Sequence, residues 1–207
     1  MNEIGIDDPL ARLEYFTEAA GKKWPNLLRY SFDVFIENDL TGQRVLQIGM
    51  YSAKIACLFG LLGAQVDAIE LQTDYLDAVQ DDLLKFQIQD RVQFVTDGSN
   101  LDIFPESSFD LVFTKDALMS VPNLADFLEK VNSKLKPGGK VVFLENGRRH
   151  LLTGYLNKFQ QRQLTNVPYF TRRELTLVHK NFEVIQIKRT SYPAIYLILG
   201  QKRNTAS

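Results

Sequence analysis

The chain has 207 residues, 45% of them hydrophobic, and its 24 basic and 25 acidic side chains leave a formal net charge of −1. This length and hydrophobic content suffice for one α/β domain with a full core, so we expect residues 1–207 to form a single domain. The balanced charge argues against a nucleic-acid surface and against a polybasic membrane patch. We therefore expect a small-molecule partner rather than nucleic acid or a membrane, and a monomer or homodimer.

The amino-terminal segment and the lone cysteine exclude further classes of protein. Residues 1–16 carry acidic side chains where a signal peptide carries basic ones, and no apolar run approaches the length of a membrane span. Cys57 lies in the apolar run IACLFGLL, and a single cysteine allows neither an internal disulfide nor a cysteine-based metal cluster. We expect Cys57 to be a core residue, the protein to be cytoplasmic, and the chain to hold no metal.

From residue 44 onward, short runs rich in Val, Ile and Phe alternate with segments of helical period. This alternation is typical of βα units and a mainly parallel sheet. A helix over residues 123–135 is expected to end at the turn KPGG, residues 136–139. Five strands are predicted, over residues 44–49, 65–70, 91–96, 109–114 and 140–146.

The last two apolar runs, residues 181–189 and 194–202, are joined by the short link TSYP. A parallel pair needs a crossover of about a dozen residues or more, so these runs predict an antiparallel hairpin over residues 181–202. The predicted fold class is therefore α/β: a Rossmann-like, doubly wound sheet, mainly parallel, with an antiparallel C-terminal hairpin. Its ligand-binding core is expected within residues 44–146.

Two further segments flank this core. Two amphipathic stretches, residues 9–20 and 25–37, predict a helical N-terminal cap within residues 1–40. Residues 148–171 are polar and basic and follow the fifth strand. Because the carboxyl ends of the strands form the ligand crevice of such sheets, we expect residues 148–171 to act as a lid.

The turn after the first strand and the end of the second predict a nucleotide-like ligand. Small residues at Gly49, Ser52 and Ala53 let the backbone approach such a ligand, and the following helix directs its first amides toward it. An ordinary strand-to-helix turn is the alternative. Glu70 follows Gly49 by about 20 residues, the spacing at which a carboxylate accepts two hydrogen bonds from a ribose diol. A solvated strand-end glutamate is the alternative.

The third predicted strand ends in Asp97 and Gly98. A carboxylate at that position can accept a hydrogen bond from the amino group of adenine, while the neighbouring backbone donates to the ring nitrogens. An Asp-Gly turn that only ends the strand is the alternative.

Five segments in this order, VLQIG, AIE, TDG, SFDLVF and LKPGGKVVF, resemble the small-molecule branch of the class I S-adenosylmethionine-dependent methyltransferases. The resemblance covers residues 44–146 and implies a methyltransferase whose cofactor is S-adenosylmethionine. It also implies a set of cofactor-binding residues at the strand ends: Gly49, Tyr51 and Ser52 for the methionine part, Glu70 for the ribose, Asp97 and Gly98 for the adenine, and the backbone near Lys115 for the amino-acid end.

Three positions depart from the family pattern. Gln47 stands where the family usually has an acidic residue, and Tyr51 stands where the second glycine of the loop belongs. Ser120 stands where many small-molecule methyltransferases carry a histidine base. Because Tyr51 follows Gly49 on the turn that meets the ligand, we expect its ring to line the pocket of the cofactor or the acceptor.

Methyl transfer from a sulfonium is an in-line displacement, so the protein mainly aligns the acceptor and excludes water. Asp116, just past the fourth strand, is the first candidate to hold or deprotonate an acceptor, and a helix N-cap is its alternative role. Glu145, at the end of the fifth strand, and His150, shortly after it, are the second catalytic candidates.

Four residues are predicted to bind the acceptor. Arg148 and Arg149 open the lid segment, and their guanidinium groups suit a carboxylate or phosphate. Tyr169, in the same segment, and Tyr30, in the N-terminal cap, are predicted walls of the pocket. The alternatives are a solvated basic surface for the arginines and a core position for Tyr30.

Together these patterns predict S-adenosylmethionine-dependent methyl transfer to an oxygen or nitrogen of a small metabolite, which is anionic if the lid arginines bind it. Two alternatives stay open. The same cofactor can serve transfer or cyclisation of its aminocarboxypropyl arm, or the chain can be a noncatalytic binding subunit of the same fold.

Overall fold

The computed structural model describes residues 13–17, 23–49, 53–71, 76–95, 101–147, 170–190 and 194–203. The α-helices in this part of the chain are α1 (Leu13–Thr17), α2 (Lys23–Val34), α3 (Ala53–Leu61), α4 (Asp77–Lys85), α5 (Leu124–Lys134) and α6 (Arg172–Asn181). The strands are β1 (Arg44–Gly49), β2 (Gln65–Glu70), β3 (Val92–Phe94), β4 (Phe109–Lys115), β5 (Leu135–Asn146), β6 (Phe182–Arg189) and β7 (Ile195–Lys202). None of the described helices combines the length and the apolar character needed to cross a bilayer.

The described strands form one sheet in the order β3-β2-β1-β4-β5-β7-β6. β1 pairs in parallel with β2, and β2 with β3, whereas β7 pairs antiparallel with both β5 and β6. This arrangement confirms the predicted fold class, a Rossmann-like α/β sheet with an antiparallel C-terminal hairpin. The hairpin's second strand, β7, lies between β5 and β6, so β6 is at the edge of the sheet.

Residue contacts divide the chain into two compact units. Unit 1 comprises Met1–Asn100 and Phe109–Leu111, and therefore contains β1 to β3 and α1 to α4. Unit 2 comprises Leu101–Ser108 and Val112–Ser207, and contains β5 to β7 with α5 and α6.

In unit 1, the pairing of β1 with β2 runs from Arg44 opposite Gln65 to Gly49 opposite Glu70. Both strands have the bounds predicted from the sequence, because each is an apolar run that ends at a glycine or a charged residue. The register brings Gly49 and Glu70 side by side at the carboxyl ends of neighbouring strands. At the other end, the Arg44 guanidinium pairs with the Asp67 carboxylate at 2.8 Å.

Helix α3 is the central helix of unit 1. Seven of its nine residues are buried, which its apolar sequence AKIACLFGL requires. A Cβ at Gly60 would lie 2.6 Å from Cγ2 of Val92, so glycine is needed where the helix approaches β3. Cys57 is fully buried in this helix, which confirms it as a core residue, and burial raises the pKa of its thiol to about 12.

Helix α1 lies within the predicted stretch 9–20, and α2 begins at Lys23, two residues before the predicted stretch 25–37, and ends within it. The hydroxyl of Tyr15 on α1 donates a hydrogen bond to Oδ1 of Asp82 on α4. Asp82 is only 4% exposed. Lys54 of α3 lies with its Nζ 3.6 Å from Oδ2 of Asp82 and 4.3 Å from the centre of the Tyr15 ring. These contacts join α1 to α3 and α4.

In unit 2, β5 begins at Leu135, five residues before its predicted start at Lys140. Residues 136–139, predicted as a turn, belong to this strand, and Gly138 adopts a positive φ of 72° within it. The pairing with β7 begins only at Lys140, opposite Gln201. The proline and glycines therefore shape the entry to the strand rather than a separate turn.

Helix α6 directly follows the predicted lid segment. Its N-cap Thr171 forms a capping box with Glu174, in which the Glu174 carboxylate accepts from the Thr171 backbone N–H at 2.8 Å. Arg172 and Arg173 are exposed in its first turn, and His179 is exposed in its last. Most of the predicted lid, residues 148–169, lies outside the described residues.

We predict that Tyr15→Phe lowers the free energy of unfolding by about 1 to 3 kcal/mol, because it leaves the buried Oδ1 of Asp82 without its donor. Urea unfolding of parent and variant measures this change. Leu84→Ala is the control, since Leu84 lies on the same helix as Asp82 and is 65% exposed, and we expect it to change stability by less than about 0.5 kcal/mol. Equal loss in both variants would contradict an anchoring role of the Tyr15 hydroxyl.

Candidate active site

The carboxylate of Glu70 ends β2 in unit 1 and is almost fully buried, with 4% of the residue exposed. Its Oε2 accepts a hydrogen bond of 3.0 Å from the backbone N–H of Ala53, the first residue of α3. Next to it, the Gly49 carbonyl accepts from the Leu71 N–H at 2.8 Å. Glu70 thus holds the first amide of the helix that follows β1.

These residues fit the ribose end of the predicted cofactor. A buried carboxylate that already accepts from a helix N-terminus is fixed in place, and carboxylate oxygens are the acceptors a diol requires. Gln47, which stands in place of the family's acidic residue, is fully buried within β1. Tyr51 and Ser52 lie outside the described residues.

Asp116 follows β4 in unit 2, and two side chains bind its carboxylate. Nζ of Lys115 lies 3.0 Å from Oδ2, and Nδ2 of Asn146 donates to Oδ1 at 2.6 Å. The side chain of Lys115 is only 4% exposed, whereas that of Asp116 is 21% exposed. The Asp116 carboxylate is therefore oriented from both sides and still reaches solvent.

The backbone of Asp116 adopts a left-handed conformation with φ of 54°. Its N–H donates to the Leu144 carbonyl at 2.9 Å, and its own carbonyl accepts from the Ser120 hydroxyl at 3.1 Å. Aspartate tolerates this conformation better than most residues, but the surroundings must hold it there. Asp116 is not the N-cap of a described helix, because α5 begins later and is capped by Asn123.

Glu145, near the end of β5, is fully buried. Its Oε1 accepts from the backbone N–H groups of Ala117 and Leu118, each at 3.1 Å, and from the Thr114 hydroxyl at 3.4 Å. Its Oε2 is buried and has no hydrogen-bond partner among the described residues. The side chain therefore binds the turn that follows β4 and does not reach solvent.

Burial, and after it the nearby negative charge of Asp116, together raise the pKa of Glu145 from its ordinary value to about 8. The three hydrogen bonds to Oε1 act in the opposite direction. At neutral pH the carboxyl is therefore mostly protonated, which avoids a full negative charge in a fully buried position.

The structure describes some of the predicted site residues and leaves others outside. Gly49, Glu70, Lys115, Asp116 and Glu145 end strands or follow them directly, as predicted. Tyr30 is half-buried on α2. The remaining predicted site residues lie outside the described residues: Tyr51, Ser52, Asp97, Gly98, Arg148, Arg149, His150 and Tyr169.

Two residues of this site were not predicted from the sequence, Thr114 and Asn146. Their positions in the sequence could have indicated them, since Thr114 comes two residues before Asp116 and Asn146 directly follows Glu145 at the end of a strand. The alternation of side chains along a strand places Glu145 and Asn146 on opposite faces of the sheet. This alternation indicates that Glu145 and Asn146 contact different partners.

We predict that the free energy of unfolding of the parent decreases between pH 5 and pH 8.5, and that it decreases by roughly 3 to 5 kcal/mol more than that of the Glu145→Gln variant. The pKa of Glu145 is about 8 in the folded chain and 4.5 as its ordinary value, so the folded chain keeps a proton that the unfolded chain releases in this range. The stabilising contribution is present at low pH and is lost as pH rises through about 8. Urea unfolding at several pH values measures it, and parallel pH profiles of both proteins would contradict the assignment.

Comparison with known proteins shows that part of the chain is similar in sequence to methyltransferases. A family model described as a methyltransferase domain matches residues 46–143. The ubiquinone/menaquinone biosynthesis C-methyltransferase UbiE of Pseudomonas savastanoi is 31% identical over 118 residues, which is 55% of this chain and 46% of that protein. Phosphoethanolamine N-methyltransferase 2 of Caenorhabditis elegans is 29% identical over 111 residues, which is 52% of this chain and 24% of that protein. The matches thus span about half the length of these curated relatives or less.

The fold agrees with this match. The crystal structure of a SAM-dependent methyltransferase from Aquifex aeolicus superposes with a TM-score of 0.62 at 18% identity, over 96% of this chain and 95% of that chain. At this identity the likeness shows the shared fold. The sequence match over residues 46–143 supports the predicted resemblance to methyltransferases whose cofactor is S-adenosylmethionine. By sequence over residues 46–143 and by fold, the chain is similar to the class I S-adenosylmethionine-dependent methyltransferases.

Proposed function

We propose that this chain catalyses methyl transfer from S-adenosylmethionine to a small-molecule acceptor. The observation that carries the proposal is the buried carboxylate of Glu70, which lies within the matched region and accepts from the first amide of α3. Gly49 and Glu70 are the described residues that would hold the cofactor, with the carboxylate accepting from the ribose hydroxyls. When bound, the cofactor supplies an electrophilic methyl group on its sulfonium.

In this proposal, Asp116 holds the acceptor. Each of its carboxylate oxygens accepts one hydrogen bond, from Lys115 or from Asn146, and a carboxylate oxygen has two lone pairs. A hydroxyl or amine of the acceptor can therefore donate to the same carboxylate. This bond orients the acceptor's nucleophilic atom and provides a place for its proton when the acceptor must lose one.

The relatives bear on the class of acceptor. By their names, one relative methylates phosphoethanolamine at nitrogen, and the other is a C-methyltransferase of ubiquinone and menaquinone biosynthesis. The first supports our proposal of an anionic acceptor, for which Arg148 and Arg149 are the predicted ligands. The second relative methylates carbon by its name, so we consider carbon as the methylated atom in addition to the predicted oxygen and nitrogen. The cytoplasmic location and the monomer or homodimer remain predictions from the sequence.

Incubation with a metabolite extract and cofactor labelled in the methyl group tests the function. Mass spectrometry of the products separates the three hypotheses that the sequence left open. A labelled methylated metabolite, together with S-adenosylhomocysteine, is the expected result. Methylthioadenosine as the product would indicate use of the aminocarboxypropyl arm, and the absence of any product with retained cofactor binding would indicate a noncatalytic subunit.

We predict that Glu70→Ala weakens binding of S-adenosylhomocysteine by some tens-fold to several hundred-fold, or on the order of 2 to 4 kcal/mol, because two hydrogen bonds to a charged acceptor are lost. Isothermal titration calorimetry measures the dissociation constant. Glu70→Gln keeps one carbonyl oxygen as an acceptor, so its loss of affinity should be smaller.

Asp67→Asn is the matched control, because it removes a carboxylate from the same strand at a position paired with Arg44. We expect its affinity for S-adenosylhomocysteine to equal that of the parent within about twofold. Thermal melting of each variant shows whether the fold is intact. Equal affinity of the parent and a folded Glu70→Ala variant would exclude Glu70 as the ribose ligand.

A further inference from the structure

Glu145 is fully buried, which is unusual for a glutamate. Its carboxyl group accepts hydrogen bonds from backbone amides and forms no ion pair with a basic side chain among the described residues. Its Oε1 is the shared acceptor of the Ala117 and Leu118 amides. Both amides belong to the turn between β4 and α5, so they are not part of the backbone hydrogen-bond pattern of a helix or a strand. An apolar residue at this position would leave two buried N–H groups without an acceptor, which is destabilising.

These two amides follow Asp116 directly, so their bonds to Glu145 fix the chain on its carboxyl-terminal side. On its amino-terminal side, the Asp116 N–H is bonded to the Leu144 carbonyl at 2.9 Å. The left-handed conformation of Asp116, with φ of 54°, thus lies between two anchored segments. Because such a conformation persists only where the surroundings determine it, releasing one anchor should let Asp116 relax.

The direction of the Asp116 carboxylate depends on the same strand. Asn146 directly follows Glu145 in β5, and its Nδ2 donates to Oδ1 of Asp116 at 2.6 Å. The last two residues of β5 therefore act on Asp116 in two ways, one through the backbone of the turn and one through the carboxylate. The Lys115 ammonium holds the other carboxylate oxygen at 3.0 Å.

We propose that Glu145 is a positioning residue that acts through Asp116: by binding the Ala117 and Leu118 amides, it holds Asp116 in the conformation in which its carboxylate meets Asn146, Lys115 and the acceptor. The last part rests on the proposed function, whereas the positioning of Asp116 does not. Glu145 itself contacts neither the acceptor nor the cofactor in this role.

The substitutions that test the proposal differ in whether they keep the acceptor atom. Glu145→Gln keeps an oxygen in the place of Oε1 and lacks only the ionisable group, so it should reproduce the parent. Glu145→Leu has a similar volume and no acceptor. Glu145→Asp keeps the carboxyl group but is shorter by one methylene, and it replaces the leucine variant if that variant does not fold.

Nuclear magnetic resonance of uniformly labelled protein gives two readouts that need no substrate. The first is hydrogen exchange of the Ala117 and Leu118 amides, which we expect to be at least about 100-fold faster in Glu145→Leu and unchanged in Glu145→Gln. The second is the side-chain amide resonance of Asn146, whose proton bonded to Asp116 should lie downfield in the parent. That shift should be lost in Asp116→Ala and in Glu145→Leu, and kept in Glu145→Gln.

The amide of Ile198, in the centre of β7, serves as the internal control, because global unfolding would accelerate its exchange as well. Parent-like exchange at Ala117 and Leu118 in Glu145→Leu, or a parent-like Asn146 resonance in that variant, would overturn the proposal. Both readouts are independent of methyl transfer, so they remain decisive if the proposed function fails.

A double-mutant cycle on product formation tests the catalytic consequence. The rate of S-adenosylhomocysteine release is measured with labelled cofactor at saturation and a fixed metabolite extract. Glu145→Leu should lower this rate at least about tenfold in the parent and less than about twofold in an Asp116→Asn background, because it acts through Asp116. Equal effects in both backgrounds would show that Glu145 does not act through Asp116.

Discussion

In each of the two units, a buried glutamate near the end of one strand accepts hydrogen bonds from the backbone that follows another strand. In unit 1, Glu70 of β2 accepts from the Ala53 amide at 3.0 Å. In unit 2, Glu145 of β5 accepts from the Ala117 and Leu118 amides at 3.1 Å. A buried carboxyl group is costly unless it is hydrogen-bonded, and an amide at the edge of a regular element needs an acceptor, so each contact gives one carboxyl oxygen a donor and the amide an acceptor.

The two glutamates differ in what lies beside them. Glu70 is opposite Gly49 in the register and holds the start of α3, so its bond fixes a helix N-terminus next to a strand-end glycine. Glu145 has Asp116 as its charged neighbour, and that charge and burial together raise its pKa to about 8. In our proposals, one carboxylate therefore binds a ligand directly, and the other supports the residue that does.

The strands were predictable from the sequence where a single local pattern determines them. β1 and β2 are short apolar runs with clear ends, and their predicted bounds were correct. The fifth strand begins earlier than predicted, because Pro137 is compatible with extended chain and Gly138 accommodates a positive φ within the strand. The start of helix α6 is encoded locally as well, because Thr171 and Glu174 carry the capping-box pattern.

The candidate site was predictable in its residue types and not in its contacts. Glu70, Asp116 and Glu145 could be found because each is a carboxylate near the carboxyl end of a predicted strand, where the ligands of such sheets bind. Whether such a carboxylate reaches solvent or backbone depends on the turn after a different strand, which no local pattern encodes. For this reason the sequence favoured Glu145 as a group that acts on the acceptor, and its burial and its bonds to the Ala117 and Leu118 amides support a positioning role instead.

The central claim is that the strand ends of unit 1 bind the cofactor at Gly49 and Glu70. A titration of isotope-labelled protein with S-adenosylhomocysteine, followed through backbone amide resonances, tests it most directly. We expect saturable shifts at the amides of Ala53 and Leu71, whose acceptors are Glu70 and Gly49, with little change at Lys188 on the edge strand. Saturable shifts that leave Ala53 and Leu71 unmoved, or no saturable shift at all, would contradict it.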